Sequence, residues 1–161
     1  MTTIGGLTMS NPNLTQLNLV AGDFDATTTF YRRLGLKVDE RSAPEFGHRH
    51  ATVTFSNGFV LECDNQTLAA TYNAGWRRPE GSSRATLGFS LPTREAVDRL
   101  YAELTGGGYR GKQPPYDAFW GARYAVVADP DGIDVGLMSP IDHQHRLWPP
   151  ADSPTLSELP E

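Results

Sequence analysis

A run of aromatic side chains in the second half of the chain is the feature most able to bind a ligand. The run contains Tyr116, Phe119, Trp120 and Tyr124. Flat rings bind aromatic or quinone-like molecules by offset stacking, and indole and phenol groups add hydrogen-bonding atoms. Neighbouring aromatic residues also form ordinary hydrophobic cores, so the run is either a ligand-binding cluster or part of the core. Pro114-Pro115 precedes the run and predicts a stiff loop, which favours exposed rings and a binding role.

The other residue types that carry chemistry are sparse. The histidines form two pairs, His48 with His50 and His143 with His145, and neither pair has a carboxylate at metal-ligand spacing along the sequence. Solvated or packed histidines are the simpler interpretation of both pairs. Cys63 is the only cysteine, which excludes a disulfide framework and a cysteine metal cluster. No Ser-His-Asp order, glycine-rich phosphate loop or Cys-His pair stands out, so covalent catalysis has no support in the sequence.

An internal repeat predicts how these residues are positioned. Residues 17–34 (LNLVAGDFDATTTFYRRL) and 87–104 (LGFSLPTREAVDRLYAEL) align at a constant offset of 70. Each copy begins with alternating residues, typical of a strand, and continues with apolar residues at i, i+4 and i+8, typical of a helix. Thr93 is a good N-cap for the second helix. The threonines at 27–29 are poor helix formers, but the second copy supports a helix there too.

Three strands are expected after each helix, at residues 36–41, 49–55 and 59–63 in the first half and at 109–113, 123–128 and 133–138 in the second. Ser56-Asn57-Gly58 and Asp129-Pro130-Asp131-Gly132 predict the matching hairpin turns. The predicted fold class is α+β: two βαβββ repeats form a curved, cup-shaped mixed sheet, with the helices on the outer face and a pocket inside.

The repeat also predicts the domain organisation. The expected segments are a flexible N-terminus (1–12), a first module (13–66), a connector (67–83), a second module (84–140) and a flexible C-terminal tail (141–161).

Three phrases make the chain resemble the vicinal oxygen chelate superfamily, which contains glyoxalase I, extradiol dioxygenases, fosfomycin-modifying enzymes and the bleomycin- and mitomycin-resistance binding proteins. They are FYRRLGLKV at 30–38, the stretch 84–104, and VVADPDGIDVGLMSP at 126–140. A narrower likeness, carried by Trp120, Gly121, Arg123 and Tyr124, is to the mitomycin-resistance type, in which such a strand lines the drug pocket. Arg123 then either faces the pocket or pairs with an acid.

The resemblance also places the metal ligands of the superfamily's metal-dependent members. Two come from the first and last strands of each repeat, at Gln16 and Glu62 in the first and at Thr86 and Gly136 in the second. Glycine has no side chain to ligate and threonine is a poor ligand, so too few donors remain for a strong divalent site. Gln16 is then a hydrogen-bonded pocket residue, and Glu62 is a hydrogen-bond acceptor or a buried acid. We expect no metal and no other cofactor.

Composition limits the partners. The chain has 161 residues, a net charge of −5 and 39% hydrophobic residues, with no basic footprint for nucleic acid. Residues 1–12 show no signal-peptide pattern, and no stretch approaches the roughly 18 apolar residues of a membrane-spanning helix. We therefore expect a cytoplasmic protein with neither a nucleic-acid nor a membrane partner.

The sequence predicts a metal-independent protein that binds and sequesters an aromatic or quinone-like natural product, as antibiotic-resistance members of the superfamily do. The predicted ligand-binding residues are Trp120, Tyr116, Tyr124, Trp76, Phe46, Glu62 and Gln16. No catalytic residue is predicted. The alternative is an enzyme of the same fold, a lyase, isomerase or dioxygenase, that depends on a metal or uses Glu62 as acid or base. The resemblance also implies a homodimer with pockets at the subunit junction.

Overall fold

The sequence repeat folds as two four-stranded mixed sheets, each with a helix on one face. The computed structural model describes residues 2–4, 7–9, 14, 16–74, 76–81 and 85–147. It divides into two units, Met1–Arg78 and Pro79–Glu161. This architecture confirms the predicted α+β class with two βαβββ modules. Over the described ranges, no helix is long and apolar enough to cross a membrane.

The first unit contains two short strands, a four-stranded sheet and two helices. They are β1 (Thr2–Ile4), β2 (Leu7–Met9), β3 (Gln16–Ala21), α1 (Phe24–Arg33), β4 (Asp39–Ala43), β5 (His48–Thr54), β6 (Val60–Asn65) and α2 (Gln66–Tyr72). The sheet order is β3-β6-β5-β4, with β3 parallel to β6 and the other pairs antiparallel. β1 pairs with β2 as a separate antiparallel ribbon. The rest of the expected flexible N-terminus, 1–12, lies outside the described residues.

Burial of its side chains stabilises helix α1, although its threonines are poor helix formers. The carboxylate of Asp23 caps the helix by accepting a hydrogen bond from the backbone N–H of Ala26 at 2.9 Å. Thr28 bonds its hydroxyl to the carbonyl of Phe24 at 2.9 Å, which satisfies a polar group at a position only 2% exposed. Phe30 and Tyr31 are fully buried on the same helix. Packing of these side chains overrides weak intrinsic propensity.

Alternation along the strands gives the first sheet two chemically different faces. Leu19, Ala51, Val53, Leu61 and Cys63 are buried and form the core with α1. The intervening residues of the same strands lie on the opposite face because successive side chains alternate. We call this opposite face the polar face; its residues used below are Gln16, Asn18, His50, Thr52, Glu62 and Asp64.

The second unit repeats the pattern with β7 (Thr86–Ser90), α3 (Arg94–Gly106), β8 (Gly111–Asp117), β9 (Arg123–Ala128) and β10 (Asp134–Met138). The order is β7-β10-β9-β8, with β7 parallel to β10. Thr93 caps α3 by accepting from the N–H of Ala96 at 3.1 Å, as expected. Val97 and Leu104 of α3 are buried on this side of the sheet. We call the opposite side of this sheet the aromatic face.

One expectation about local structure is wrong. Pro114-Pro115 lies within strand β8 rather than in a loop, and the pairing of β8 with β9 is shifted between Gly111 and Gln113 and between Gln113 and Tyr116. β8 is an edge strand, where a missing N–H needs no partner, so prolines are tolerated there. The connector also begins with a helix, α2, which Asn65 caps.

The segment after β10 is bonded to the loop between β8 and β9. The N–H of Asp142 donates to the carbonyl of Gly121 at 2.9 Å, and that of Leu147 donates to Phe119 at 2.6 Å. Gly121 has a φ of +93°, and a Cβ there would collide with the carbonyl oxygen of Asp142. Residues 141–147 of the expected tail therefore include a 3-10 turn, His143–His145, held against this loop. Residues 148–161 lie outside the described part of the chain.

Candidate functional site

The phenol of Tyr124 takes the space that a side chain at residue 136 would need. Tyr124 on β9 is in register with Met138 of β10, two residues along from Gly136, and its ring lies beside Gly136 on the same face of the second sheet. A Cβ built on Gly136 would lie 2.5 Å from Oη of Tyr124 and 3.0 Å from its Cε2. Gly88, in register with Gly136 on β7, has open space where its Cβ would be. The two glycines therefore have different environments.

Four aromatic rings meet beside this position. The ring centroid of Trp120 lies 5.0 Å from that of Tyr124, 5.0 Å from Phe119 and 6.4 Å from Tyr116, and all three pairs are edge to face. Tyr116 is 37% exposed. Three predicted binding residues, Tyr116, Trp120 and Tyr124, are therefore neighbours in one aromatic cluster. The buried Nε1 of Trp120 has no hydrogen-bond partner within the described ranges.

The surroundings of Tyr124 keep its hydroxyl protonated. Burial raises the pKa of this phenol above its usual range, and the nearby Tyr116 and Asp134 act in the same direction. Asp134 itself pairs with Lys112 of β8. Tyr124 can therefore offer a neutral hydroxyl to a ligand rather than a phenolate.

The side chain of Arg123 lies on the side of the second sheet that packs against α3, opposite the aromatic face. Its Nε lies 2.8 Å from Oδ1 of Asp98 on α3, and its Nη1 lies 3.1 Å from Oδ1 of Asp117 on β8. The hydrogen bond from Arg123 lowers the pKa of Asp117. Of the two alternatives for Arg123, the pairing with acids is the one observed.

On the polar face of the first unit, His50 bridges two carboxylates. Its Nδ1 lies 2.6 Å from Oδ1 of Asp64, and its Nε2 lies 2.8 Å from Oε2 of Glu62. Thr52 donates its hydroxyl to the same Glu62 oxygen at 2.9 Å. Asp64 is 1% exposed, whereas the side chain of Glu62 is 16% exposed. The group nearest solvent among the two acids is therefore Glu62.

The second oxygen of Asp64 is also fully used. It accepts from Oη of Tyr72 at 3.0 Å and from Nδ2 of Asn18 at 3.2 Å. Gln16 donates its Nε2 to Oδ1 of Asn18 at 2.8 Å. Burial and the neighbouring Asp64 raise the pKa of Tyr72 to about 12, so its hydroxyl stays a donor at neutral pH. One hydrogen-bond network thus extends from Tyr72 and Gln16 to Glu62.

Sequence reasoning missed most of this network. His50 is packed, as one of the expected alternatives had it, but its carboxylate partners come from the neighbouring strand and were not visible in the nearby sequence. The signal was present in the predicted hairpin: a turn centred on Asn57 pairs His50 with Asp64 and Thr52 with Glu62. Tyr72 carried no such signal, since it lies on the unexpected helix α2.

Two further predicted residues lie elsewhere in the first unit. Phe46 ends a 3-10 turn, Pro44–Phe46, and is 69% exposed with its ring 6.2 Å from that of His48. Trp76 follows α2 and is half-buried, with its backbone N–H bonded to the carbonyl of Asn73. Their assignment as binding residues stays a prediction.

The residues at the metal-ligand positions do not fit a metal ion. Gly136 offers no donor, and Tyr124 fills the space beside it. Oε2 of Glu62 is already occupied by His50 and Thr52. In the part of the chain that the structure describes, no three His, Cys, Asp or Glu side chains are arranged to hold a metal, since Glu62 and Asp64 each contact a different ring nitrogen of the intervening His50.

Comparison with known proteins identifies the family. The model of the Glyoxalase/Bleomycin resistance protein/Dioxygenase superfamily matches residues 13–137. The chain belongs to this superfamily. The resemblance seen in the sequence is thereby confirmed at the level of the superfamily, while the mitomycin-resistance type stays a prediction. No curated protein matches the chain.

Solved structures show the same superfamily fold. A glyoxalase/bleomycin resistance protein/dioxygenase from Nocardioides is 23% identical, with a TM-score of 0.65 over 84% of this chain and 88% of that one. A glyoxalase-related enzyme from Fulvimarina pelagi is 22% identical, with a TM-score of 0.67 over 80% and 88%. Glyoxalase I from Zea mays is 20% identical, with a TM-score of 0.61 over 80% of this chain and 45% of the maize chain. These similarities establish the fold and leave the activity to be argued from the residues.

Proposed function

We propose that this superfamily member is a metal-independent binding protein for flat aromatic or quinone-like molecules, with the aromatic cluster of the second unit as its binding surface. The observation that carries the proposal is the position of Tyr124. Its ring stands where the superfamily's last-strand acid would be, beside Trp120 and Tyr116. A metal-ligand position is thereby replaced by aromatic surface.

The arrangement of the rings suits stacking. Each aromatic pair contributes about 0.5–1.5 kcal/mol beyond area burial, and rings already held in place lose little freedom on binding. Trp120 is held by Phe119 and Tyr124, and the carbonyl of Phe119 is bonded to the segment after β10. Open space above Gly88 leaves room for a flat molecule on the same face.

The biological setting of this proposal follows the resistance type of the family. Sequestration of an unchanged natural product protects a cell without turnover. We further propose a homodimer with ligand sites at the subunit junction; sedimentation of a monomer at micromolar concentration would contradict it. The cytoplasmic location stays a prediction from the sequence.

Calorimetric titration with menadione, a small quinone, tests the proposal. We expect binding that EDTA leaves unchanged, weakened about tenfold by Trp120→Leu, the equivalent of about 1.4 kcal/mol. Phe59→Leu, which removes an aromatic ring from the hairpin of the first unit, is the control and should change the affinity by less than about twofold. The menadione recovered after denaturation should have its original mass. An altered mass, or equal effects of the two substitutions, would refute the proposal.

A second candidate is metal-free acid–base catalysis by Glu62. It is favoured by the support that Glu62 receives from Thr52 and from His50, which Asp64 orients in turn. A carboxylate held this way, with one oxygen remaining, has the arrangement of a general base. If a ligand purified with the protein is converted to a product, Glu62→Gln should abolish the conversion; conversion by Glu62→Gln at the original rate would eliminate this candidate.

A further inference from the structure

The aromatic face of the second unit carries an ion pair as well as rings. Val135 and Leu137 of β10 are fully buried, so Asp134 lies on the opposite, aromatic face because successive side chains of a strand alternate. Lys112 of the edge strand β8 reaches over β9 to pair with the carboxylate of Asp134. The residue of β9 opposite Asp134 is Ala128, whose small side chain leaves room for the lysine above it.

This ion pair has hydrogen-bonding atoms to spare. An ammonium group has three N–H donors, and a carboxylate has two acceptor oxygens. Among the described residues, the one hydrogen bond made by these two groups joins Nζ of Lys112 to Oδ1 of Asp134. The two side chains are 32% and 21% exposed, so a ligand can reach them from solvent. Two ammonium N–H groups and the second carboxylate oxygen, Oδ2, are therefore available to a ligand.

The ion pair lies close to the aromatic cluster. Asp134 precedes Gly136 by two residues, or about 7 Å along the strand at about 3.4 Å per residue. The ring of Tyr124 lies beside Gly136, and Asp134 is close enough to add to the effect of burial in raising the pKa of that phenol. Gly88, in register with Gly136, has open space where its Cβ would be. A flat ring that lies over Gly88 and beside Tyr124 therefore extends a substituent toward the ion pair.

The chemistry of the ion pair favours a neutral substituent. A cationic group would be repelled by Lys112 and an anionic group by Asp134, and either would lose hydration in a partly buried site. A primary carboxamide is neutral and carries a carbonyl acceptor next to N–H donors. Its carbonyl oxygen can accept from Nζ of Lys112 while its N–H donates to Oδ2 of Asp134. The pair and the carboxamide are therefore complementary at adjacent atoms.

We propose that the Lys112–Asp134 pair is the polar end of the ligand site on the aromatic face and selects flat aromatic molecules that carry a carboxamide, or another neutral group with adjacent acceptor and donor atoms. The inference rests on the proposed aromatic binding and adds the substituent that the ligand carries. The competing explanation is structural: the pair only fastens the irregular edge strand β8 to the sheet and contacts no ligand.

The test titrates the full chain with 2-naphthamide and with 2-methylnaphthalene, which has the same ring without the amide, and follows the backbone amide signals by NMR. Both probes should shift the signals of Trp120 and Tyr124. Only 2-naphthamide should shift those of Lys112 and Asp134, and it should bind about tenfold more tightly. 2-Acetylnaphthalene, which keeps the carbonyl and lacks the N–H, should bind with intermediate affinity. Equal affinities for 2-naphthamide and 2-methylnaphthalene would overturn this inference and leave aromatic binding intact, whereas no binding of any of these rings would refute both.

Substitutions separate ligand binding from a purely structural role. Lys112→Met keeps the aliphatic stem and should weaken 2-naphthamide binding about tenfold, with 2-methylnaphthalene changed by less than about twofold. Lys37→Met is the matched control, because Lys37 also pairs with an aspartate, Asp39, but lies in the first unit; it should leave both affinities unchanged. If Lys112→Met does not fold, Asp134→Asn decides, with an expected loss of about threefold for 2-naphthamide. A lowered Tm with an unchanged ratio of the two affinities in the deciding variant would show that the pair is only structural.

Discussion

Gly136→Ala is the sharpest test of the aromatic cluster, because the added methyl group must displace Tyr124. Its Cβ would lie 2.5 Å from Oη, 3.0 Å from Cε2 and 3.1 Å from Cζ of that ring. The ring has little freedom to move, since Tyr116 and Trp120 contact it edge to face. Overpacking of this kind costs about 1–3 kcal/mol.

The net effect is smaller, because alanine is favoured over glycine within a strand by about 0.5–1 kcal/mol. We expect Gly136→Ala to destabilise the protein by about 1–2 kcal/mol. For a chain of this size, each kcal/mol lowers the Tm by about 2–4 °C, so the expected loss is about 2–8 °C. Thermal unfolding followed by circular dichroism measures it, and menadione binding should weaken in parallel.

Gly88→Ala is the matched control. Gly88 is in register with Gly136 on the neighbouring strand, and its Cβ would meet no atom within 4 Å. This substitution should be neutral or stabilising by up to about 1 kcal/mol. A double-mutant cycle with Tyr124→Phe should show coupling to Gly136→Ala and none to Gly88→Ala. If both alanine substitutions have the same effect on the Tm, Tyr124 does not occupy the space beside Gly136.

Four further outcomes follow from single contacts. Tyr72→Phe removes a donor from the buried Asp64 and should lower the free energy of unfolding by about 1–2 kcal/mol in urea titration. Folding raises the pKa of Tyr72 to about 12, so the contribution of its hydroxyl to the free energy of unfolding is complete below pH 10 and should be lost as the pH rises toward 12. The free energies of unfolding of the wild type and Tyr72→Phe should therefore converge near pH 12. A difference that stays constant with pH would contradict this. Gly121→Ala should release the segment after β10, because the added Cβ collides with the carbonyl oxygen of Asp142. Limited proteolysis should then cut that segment faster than in the wild type. An unchanged rate of cutting would show that the contact is unimportant. Thr93→Ala removes the N-cap of α3 and should cost about 1 kcal/mol by denaturant unfolding, whereas Thr105→Ala near the other end of the helix, where no cap is lost, should cost less.

The modules were predictable because their signals are local. The strand–helix pattern repeats at an offset of 70, and the turns at Asn57 and Asp129 end their strands within a residue or two of the expected positions. Asp129 makes the second turn by accepting from the N–H groups of Asp131 and Ile133. Such short-range bonds depend only on neighbouring residue types.

The candidate site was predictable only in part. Tyr116, Trp120 and Tyr124 are close in sequence and are also close in space. The prolines of β8 were misinterpreted because their tolerance depends on the strand being at a sheet edge, which is a property of the whole sheet. The direction of Arg123 depended on finding Asp98 across the helix–sheet layer.

By itself, the sequence determined the repeat, the helix of each repeat and the hairpin turns, since each follows from residue type and spacing. The resemblance to the superfamily then identified Gly136 as a ligand position without a side-chain donor. Tertiary structure decided which groups meet. His50 acquires Asp64 and Glu62 only when β5 pairs with β6, and Tyr72 joins them only because α2 returns over the sheet. Strand register and helix docking bring together residues that are distant in sequence, so side-chain chemistry across strands is established only in the folded chain.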